Sequence, residues 1–207
     1  MPKTLFNSEF NQSDVEVASV TRCFDGFFKI NKFRFRHKLF EGGTSEWVER
    51  EIFERGDAVA VLPYDPINKK VVMVEQVRIG ALSPNASPWL LEVIAGMIDK
   101  QQESLVDVAQ REALEEANLD ISELTPMLNY LSSPGGTTER LYLYLGIVDS
   151  TGVGGVFGLP EENEDIKVHV FDEQDAFDMV EQGIIDNAAA VISLQWLQLN
   201  KHRFDNQ

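Results

Sequence analysis

Three glutamates, Glu112, Glu115 and Glu116, crowd into one short run that reads as a helix, and carboxylates so placed could hold a metal ion or move a proton. From Glu103 the residues are strong helix formers, with no Pro or Gly until well past Asn118. The spacing predicts one long helix, with Asp107 and Arg111 as a favourable i,i+4 pair. On the helical wheel Leu105, Val108, Ala109, Ala113 and Leu119 form an apolar arc, and Glu103, Ser104, Asp107 and Arg111 lie opposite. Glu112 and Glu116 project about 40° apart, within or beside the apolar arc, with Glu115 on its polar margin. Most Glu-rich helices simply present a solvated acidic face, but such glutamates belong opposite the apolar arc. Two carboxylates one turn apart repel, and desolvation at a core edge adds to the cost. A divalent cation would remove both penalties.

The elements that must aim these acids can be read on either side of the helix. Residues 1–13 look like a polar arm. From Val15 to Phe53 the pattern is strand-like: Phe33, Phe35, His37 and Leu39 alternate with basic residues, Glu41–Ser45 turns the chain, and Trp47–Phe53 makes a second strand. His37 keeps the apolar phase and reads as packed rather than as a ligand. This unit, 1–55, is too small to hide both faces of its sheet, so it is expected to pack on the main domain or on a second copy of the chain, and a dimer is the economical solution. Phe27, beside the glycine turn at Gly26, is a candidate for a contact outside its own unit.

The main domain, 56–207, begins with a hairpin, Gly56–Pro63 and Val71–Arg78. After a proline-containing loop, Trp89–Ala95 reads as one buried strand delivering the chain to Gly96. Beyond the helix, strands are expected at Met127–Leu131, Leu141–Val148 and Lys167–Phe171, the last carrying a structural His169. A Gly-rich connection spans Thr151–Glu164. Two closing helices are expected at Glu173–Gln182 and Ala188–Leu199, the second capped near Asp186–Asn187. The fold class is therefore α/β (α+β): a mixed sheet flanked by helices, preceded by a small antiparallel β unit.

Eighteen basic against thirty-four acidic residues leave a net charge of −16 over 207 residues. That balance argues against nonspecific binding to nucleic acid or to an anionic membrane, both polyanions. A small anionic substrate remains compatible if metal ions and a few arginines neutralise it locally. One cysteine, Cys23, cannot form an internal disulfide, and no signal peptide or membrane span is evident, so a cytoplasmic location is expected.

The run from Gly96 through Glu103, Arg111, Glu112, Ala113, Glu115, Glu116 and Leu119 resembles the signature of the Nudix hydrolases. It departs from that signature in two places: six residues rather than five separate Gly96 from Glu103, and Asn118 stands where a glycine is usual. Asn118 still tolerates the left-handed geometry of a helix C-cap. Pro134, sixteen residues after Asn118, lies in a Ser-Pro-Gly-Gly-Thr-Thr-Glu-Arg loop similar to that of the bacterial ADP-ribose pyrophosphatase subgroup. Arg50–Gly56, Glu161–Ile166, Ile185–Val191 and Leu194–Leu199 are similar to that subgroup as well.

The resemblance implies a Nudix-type mixed sheet sandwiched between helices and Mg2+-dependent hydrolysis of ADP-ribose to AMP and ribose 5-phosphate by a homodimer, with Mn2+ as an alternative metal. It implies that the Ala95 carbonyl, Glu112, Glu116 and Glu164 bind the metal, with Glu115 as a further acid. It makes Glu162, on a mobile loop, the residue that orients or deprotonates the attacking water. Arg50 and Arg78 would hold the phosphates and terminal ribose, Glu139 would lie near the substrate, and Phe27 would stack on adenine from the other subunit. Taken without the resemblance, Arg50 could simply pair with a surface glutamate, Glu161–Asp165 could be a solvated charge run, and Arg111 could pair with Asp107 or Glu115 or orient a catalytic glutamate. Glu103 would point away from the metal face and support it from outside. Another nucleoside diphosphate sugar or a dinucleotide as substrate, or an ADP-ribose-binding module without catalysis, stand as alternatives.

Overall fold

The computed structural model describes residues 6–84, 86–99 and 102–204, with Glu162 described by its backbone alone. Of the expected arm at 1–13, residues 1–5 fall outside these. The chain divides into two compact units, Met1–Arg55 with Ser133–Glu139, and Gly56–Ser132 with Arg140–Gln207. Ser133–Glu139, which the sequence pattern leaves in the main domain, joins the first unit through backbone bonds: Phe53 N–H donates to the Gly136 carbonyl at 2.8 Å.

In the first unit β1 (Val15–Asp25), β2 (Lys29–His37) and β3 (Val48–Glu54) form an antiparallel meander in that order. Directly opposed residues share a face, so the register Val15–His37, Val17–Phe35 and Val20–Phe33 collects an apolar face, to which β3 adds Val48 opposite Phe35 and Arg50 opposite Phe33. An irregularity between Val17 and Ser19 keeps Val20 in phase with Val17. On the other face Arg34 and Arg36 sit over the Trp47 ring at 4.9 and 4.7 Å.

The second unit is built on an eight-stranded sheet. Its strands are β4 (Ala58–Asp65), β5 (Lys70–Val77), β6 (Trp89–Glu92), β7 (Ile94–Met97), β8 (Glu123–Leu131), β9 (Arg140–Ile147), β10 (Gly155–Phe157) and β11 (Ile166–Asp172). The path runs β10-β11-β5-β4-β9-β8, with β6 on β5 and β7 on β4, and β4 lies parallel to β9 while its other pairs are antiparallel. Every residue of β4 is buried, which suits its near-continuous apolar sequence. Ala60, Leu62 and Tyr64 join one core with Leu194 and Leu197 of α3 (Ala188–Asn200) and Phe177 of α2 (Glu173–Glu181). Val59 and Val61 join a second core with Val108, Ala109 and Ala113 of α1 (Leu105–Ala117). The mixed sheet is thus sandwiched between helices, as expected.

Two expectations need correction. Trp89–Ala95 is not one buried strand. β4 and β5 pair with each other only at Tyr64–Val71 and Asp65–Lys70; where they part, β6 follows β5 and β7 follows β4, with Val93 at the break and Trp89 exposed. Nor is Thr151–Glu164 wholly irregular, since β10 pairs with β11 at the sheet edge and Pro160–Glu162 form a single 3-10 turn.

Asp65, 1% exposed, ties the β4–β5 turn to the chain after β9. Its Oδ1 accepts the backbone N–H groups of Ile67 and Asn68, and its Oδ2 accepts from Asn68 Nδ2 and from the N–H and hydroxyl of Ser150, the last at 2.6 Å. Burial alone would push its pKa up, but the hydrogen bonds from Ser150 and Asn68 hold it well below the usual carboxylate range. Asp65→Ala should therefore destabilise the protein by about 2–4 kcal/mol in denaturant melts at neutral pH. A group whose pKa is depressed by folding stabilises above its unfolded value and loses that effect as pH falls. The gap between the two proteins should accordingly narrow below about pH 4.

Candidate active site

α1 begins at Ser104, whose hydroxyl accepts the Asp107 N–H while the Asp107 carboxylate accepts the Ser104 N–H, a reciprocal capping box. This corrects the expected Asp107–Arg111 pair, because the Asp107 carboxylate is spent on the cap. It also removes Glu103 from the helix, so the wheel does not place it. Glu103 instead bonds the Arg111 guanidinium, with Nε to Oε1 at 3.2 Å and Nη2 to Oε2 at 3.3 Å. Asn118 ends the helix in the left-handed conformation, φ 49°, the geometry its side chain tolerates.

The acids of α1 divide by what they touch. Glu116 is 3% exposed, and its Oε2 accepts the Ala95 N–H at 3.3 Å. Burial, with the nearby charge of Glu112 second, pushes its pKa up to about 8. Glu112 is pushed up as well, by burial first, with Arg111 opposing and the charges of Glu115 and Glu164 adding to the rise. Arg111 Nη1 donates to Glu112 at 2.8 Å and to Glu115 at 3.0 Å. Burial works against the guanidinium's charge, but Glu103, Glu112 and Glu115 together hold its pKa above the ordinary value. A Cβ at Gly96 would overlap the Glu112 side chain and displace its carboxylate from this position.

Glu164 comes from the segment before β11. Its Oε2 accepts the Leu159 N–H at 3.1 Å, and its own N–H donates to the Leu159 carbonyl. Glu162 ends the 3-10 turn just before it, and its side chain lies outside the described residues. Arg78 follows β5 and places Nε and Nη2 on one oxygen of Glu92, each at 2.9 Å; its positive charge also reaches Glu116.

The remaining candidates belong to the first unit. Phe27, 82% exposed, follows Gly26 in the β1–β2 turn with its ring edge-on to Phe28 at 4.8 Å. Arg50 is exposed and donates to the Glu49 carbonyl at 2.7 Å. Glu139 is buried and paired with Arg55 at 3.1 Å, and that guanidinium lies over the Phe28 ring.

Within the second unit the structure thus brings Glu112, Glu164 and Arg78 within electrostatic reach of Glu116, which lies against Ala95. Glu115 is turned to Arg111 instead. Among the described residues no three acids or histidines already converge at metal-holding distance, because Glu112 and Glu164 are drawn to partners of their own. The donor set nevertheless fits a hard divalent cation. Its ligands are oxygens, their charges repel, and Glu116 is buried with a backbone N–H against it. Sequence reasoning missed Glu92 and the pairing of Glu103 with Arg111. For Glu92 a signal was present, as it is the acid inside an otherwise apolar run, Trp89–Ala95.

A mixed sheet carrying such a helix defines a class, and residues 54–193 match the NUDIX domain model. The chain belongs to the Nudix family. It is 50% identical over 198 residues to the ADP-ribose pyrophosphatase of Escherichia coli (strain K12), covering 96% of this chain and 94% of that protein. It is 49% identical over 194 residues to the ADP-ribose pyrophosphatase of Haemophilus influenzae, covering 92% and 89%. The crystal structure of an ADP compounds hydrolase shares the fold, with a TM-score of 0.71 at 18% identity over 96% of this chain and all of that one.

The raised pKa of Glu116 sets a sign for stability. A carboxyl whose pKa folding raises stabilises the fold while protonated and loses that contribution as pH climbs from its unfolded value, 4.5, through about 8. In the presence of a chelator, Glu116→Gln should melt above the wild type at pH 9 and close to it at pH 5, read by differential scanning fluorimetry.

Proposed function

We propose that this chain is a Mg2+-dependent ADP-ribose pyrophosphatase, adding water across the pyrophosphate to give AMP and ribose 5-phosphate, and that it works as a cytoplasmic homodimer. The observation that carries the reading is Glu116, a carboxylate buried against Ala95 with Glu112 and Glu164 within electrostatic reach. Half-identity to ADP-ribose pyrophosphatases over nearly the whole chain supports the choice of substrate.

Ala95, Glu112, Glu116 and Glu164 would hold the metal, with Glu115 as a further acid kept in place by Arg111. In a strand the N–H and C=O of one residue point to the same side. The Ala95 N–H meets Glu116, so its carbonyl faces the acids of α1 too. Bound Mg2+ would supply positive charge to the pyrophosphate and so admit a water nucleophile. Arg78 and Arg50 bind the phosphates and terminal ribose, and their charge lets an anion approach a protein of net charge −16. Glu162 orients the attacking water or takes its proton from a loop that closes over substrate. Glu139 lies near the substrate, and Phe27, exposed on its own chain, stacks on the adenine bound by the partner protomer.

The dimer reading draws on the first unit. Val15, Val17 and Val20 are 45, 50 and 52% exposed on the apolar face of the meander, an area that a second copy would cover. The free, exposed Cys23 accords with a reducing compartment. Among the described residues no helix is long and apolar enough to cross a membrane.

Purified protein incubated with ADP-ribose and Mg2+ should release AMP and ribose 5-phosphate in a chelator-sensitive manner, with a higher kcat/KM than for NADH, GDP-mannose or diadenosine polyphosphates. Glu112→Gln should lower kcat by orders of magnitude without altering the circular dichroism spectrum. Preference for another of these compounds would reassign the substrate, and tight binding of ADP-ribose without turnover of any of them would make the chain a binding module. Light scattering should give twice the chain mass for the wild type, falling toward the single-chain mass when Val17 and Val20 are both replaced by Asp.

A further inference from the structure

Glu92 has no part in the function proposed above, yet its chemistry is out of place on β6. Its side chain is 15% exposed, in a strand whose other residues are apolar, and it stands opposite Val74 of β5. Burying a carboxylate there is costly unless a cation meets it. Arg78 does so with a hydrogen bond from Nε at 2.9 Å and an ion-pair contact from Nη2 at 2.9 Å, both converging on the same Glu92 oxygen. The backbone of Arg78 is fixed as well, its N–H donating to the Pro88 carbonyl at 2.7 Å.

The need for such a hold follows from the charges around it. Arg78 is near enough to Glu116 for its charge to favour ionisation of that buried acid. A long, mobile cation beside a group of carboxylates is drawn into them, and a second guanidinium lodged among the α1 acids, in addition to Arg111, would neutralise more of the charge that a divalent cation requires. Glu92 competes for the guanidinium from the strand side. By engaging Nε and Nη2 it fixes the plane of the fork and leaves the Nη1 edge uncommitted to it.

We propose that Glu92 is a positioning residue: it holds Arg78 in the orientation that receives the substrate's phosphates and keeps it off the acids of α1. This rests on the reading of Arg78 as a phosphate ligand. Glu92 itself touches neither substrate nor metal.

The test is a double-mutant cycle of Glu92→Gln, Arg78→Ala and their combination, reading kcat, KM for ADP-ribose and the Mg2+ concentration for half-maximal rate. Glu92→Gln should raise KM about tenfold with kcat within about twofold of wild type, and should raise the Mg2+ requirement several-fold. In the Arg78→Ala background the same change should move neither KM nor the Mg2+ requirement, a result that a purely structural role for Glu92 would not produce. If Arg78→Ala raises KM but Glu92→Gln does not, or if the two effects simply add, the positioning role is overturned while Arg78 keeps its place. If Arg78→Ala leaves KM unchanged, the phosphate-ligand reading fails and the proposal with it. Should Glu92→Gln fail to fold, the cycle is run with Glu92→Asp, which keeps the charge but is one methylene too short to reach both Nε and Nη2; the same non-additivity is expected, and additivity overturns the proposal equally.

Discussion

Burying the Glu116 carboxylate against the edge of β7 is the interaction on which the arrangement of the second unit turns. At 3% exposure burial favours the neutral carboxyl, and the backbone offers the charged form only one hydrogen bond, from the Ala95 N–H. The rest of the neighbourhood accommodates that carboxylate and its companion Glu112. Gly96 leaves room for Glu112, Arg111 gathers Glu103, Glu112 and Glu115 on one guanidinium, and the Ser104–Asp107 capping box fixes where the helix starts. The parting of β4 and β5 serves the same end, since only there can β7 enter the sheet with its outer edge toward α1.

Placing arginines in so acidic a chain raises a second physical problem, because every guanidinium has carboxylates competing for it. Several of the guanidiniums outside α1 each take a defined partner. Arg78 rests on Glu92, Arg55 on Glu139 and the Phe28 ring, and Arg34 and Arg36 on Trp47, with Arg36 also on Glu16 at 2.6 Å. Arg50 lacks a carboxylate among its described contacts and stands on the apolar face of the meander beside Phe33.

Much of this was legible in the chain. Period-two alternation in β2, the apolar run of β4 and the Asn187 cap of α3 each appear where local pattern puts them, because each is decided by residues a few positions apart. The wheel placed Glu112 and Glu116 at the core edge correctly, since a regular helix converts spacing into direction. Glu103 lies outside the wheel because the helix begins two residues later, at Leu105, and the expected Asp107–Arg111 pair does not form because the Asp107 side chain finds a backbone N–H nearer than Arg111. The split of Trp89–Ala95 was likewise hidden, because which neighbour a strand pairs with depends on strands distant in sequence.

The sequence by itself determined the type of element along most of the chain, the position of the acids on α1 and, through a signature of spaced Gly, Glu and Arg residues, the family. These rest on local geometry, in which a repeat of 3.6 or 2 residues turns composition into direction. Only the tertiary structure decided which partner each charge takes: Arg111 with Glu103, Arg78 with Glu92, Glu116 with the Ala95 N–H, and Asp65 with Ser150 eighty-five residues away. A charged side chain reaches several alternatives, and the choice among them follows from desolvation and distance in the packed molecule, which no local spacing records.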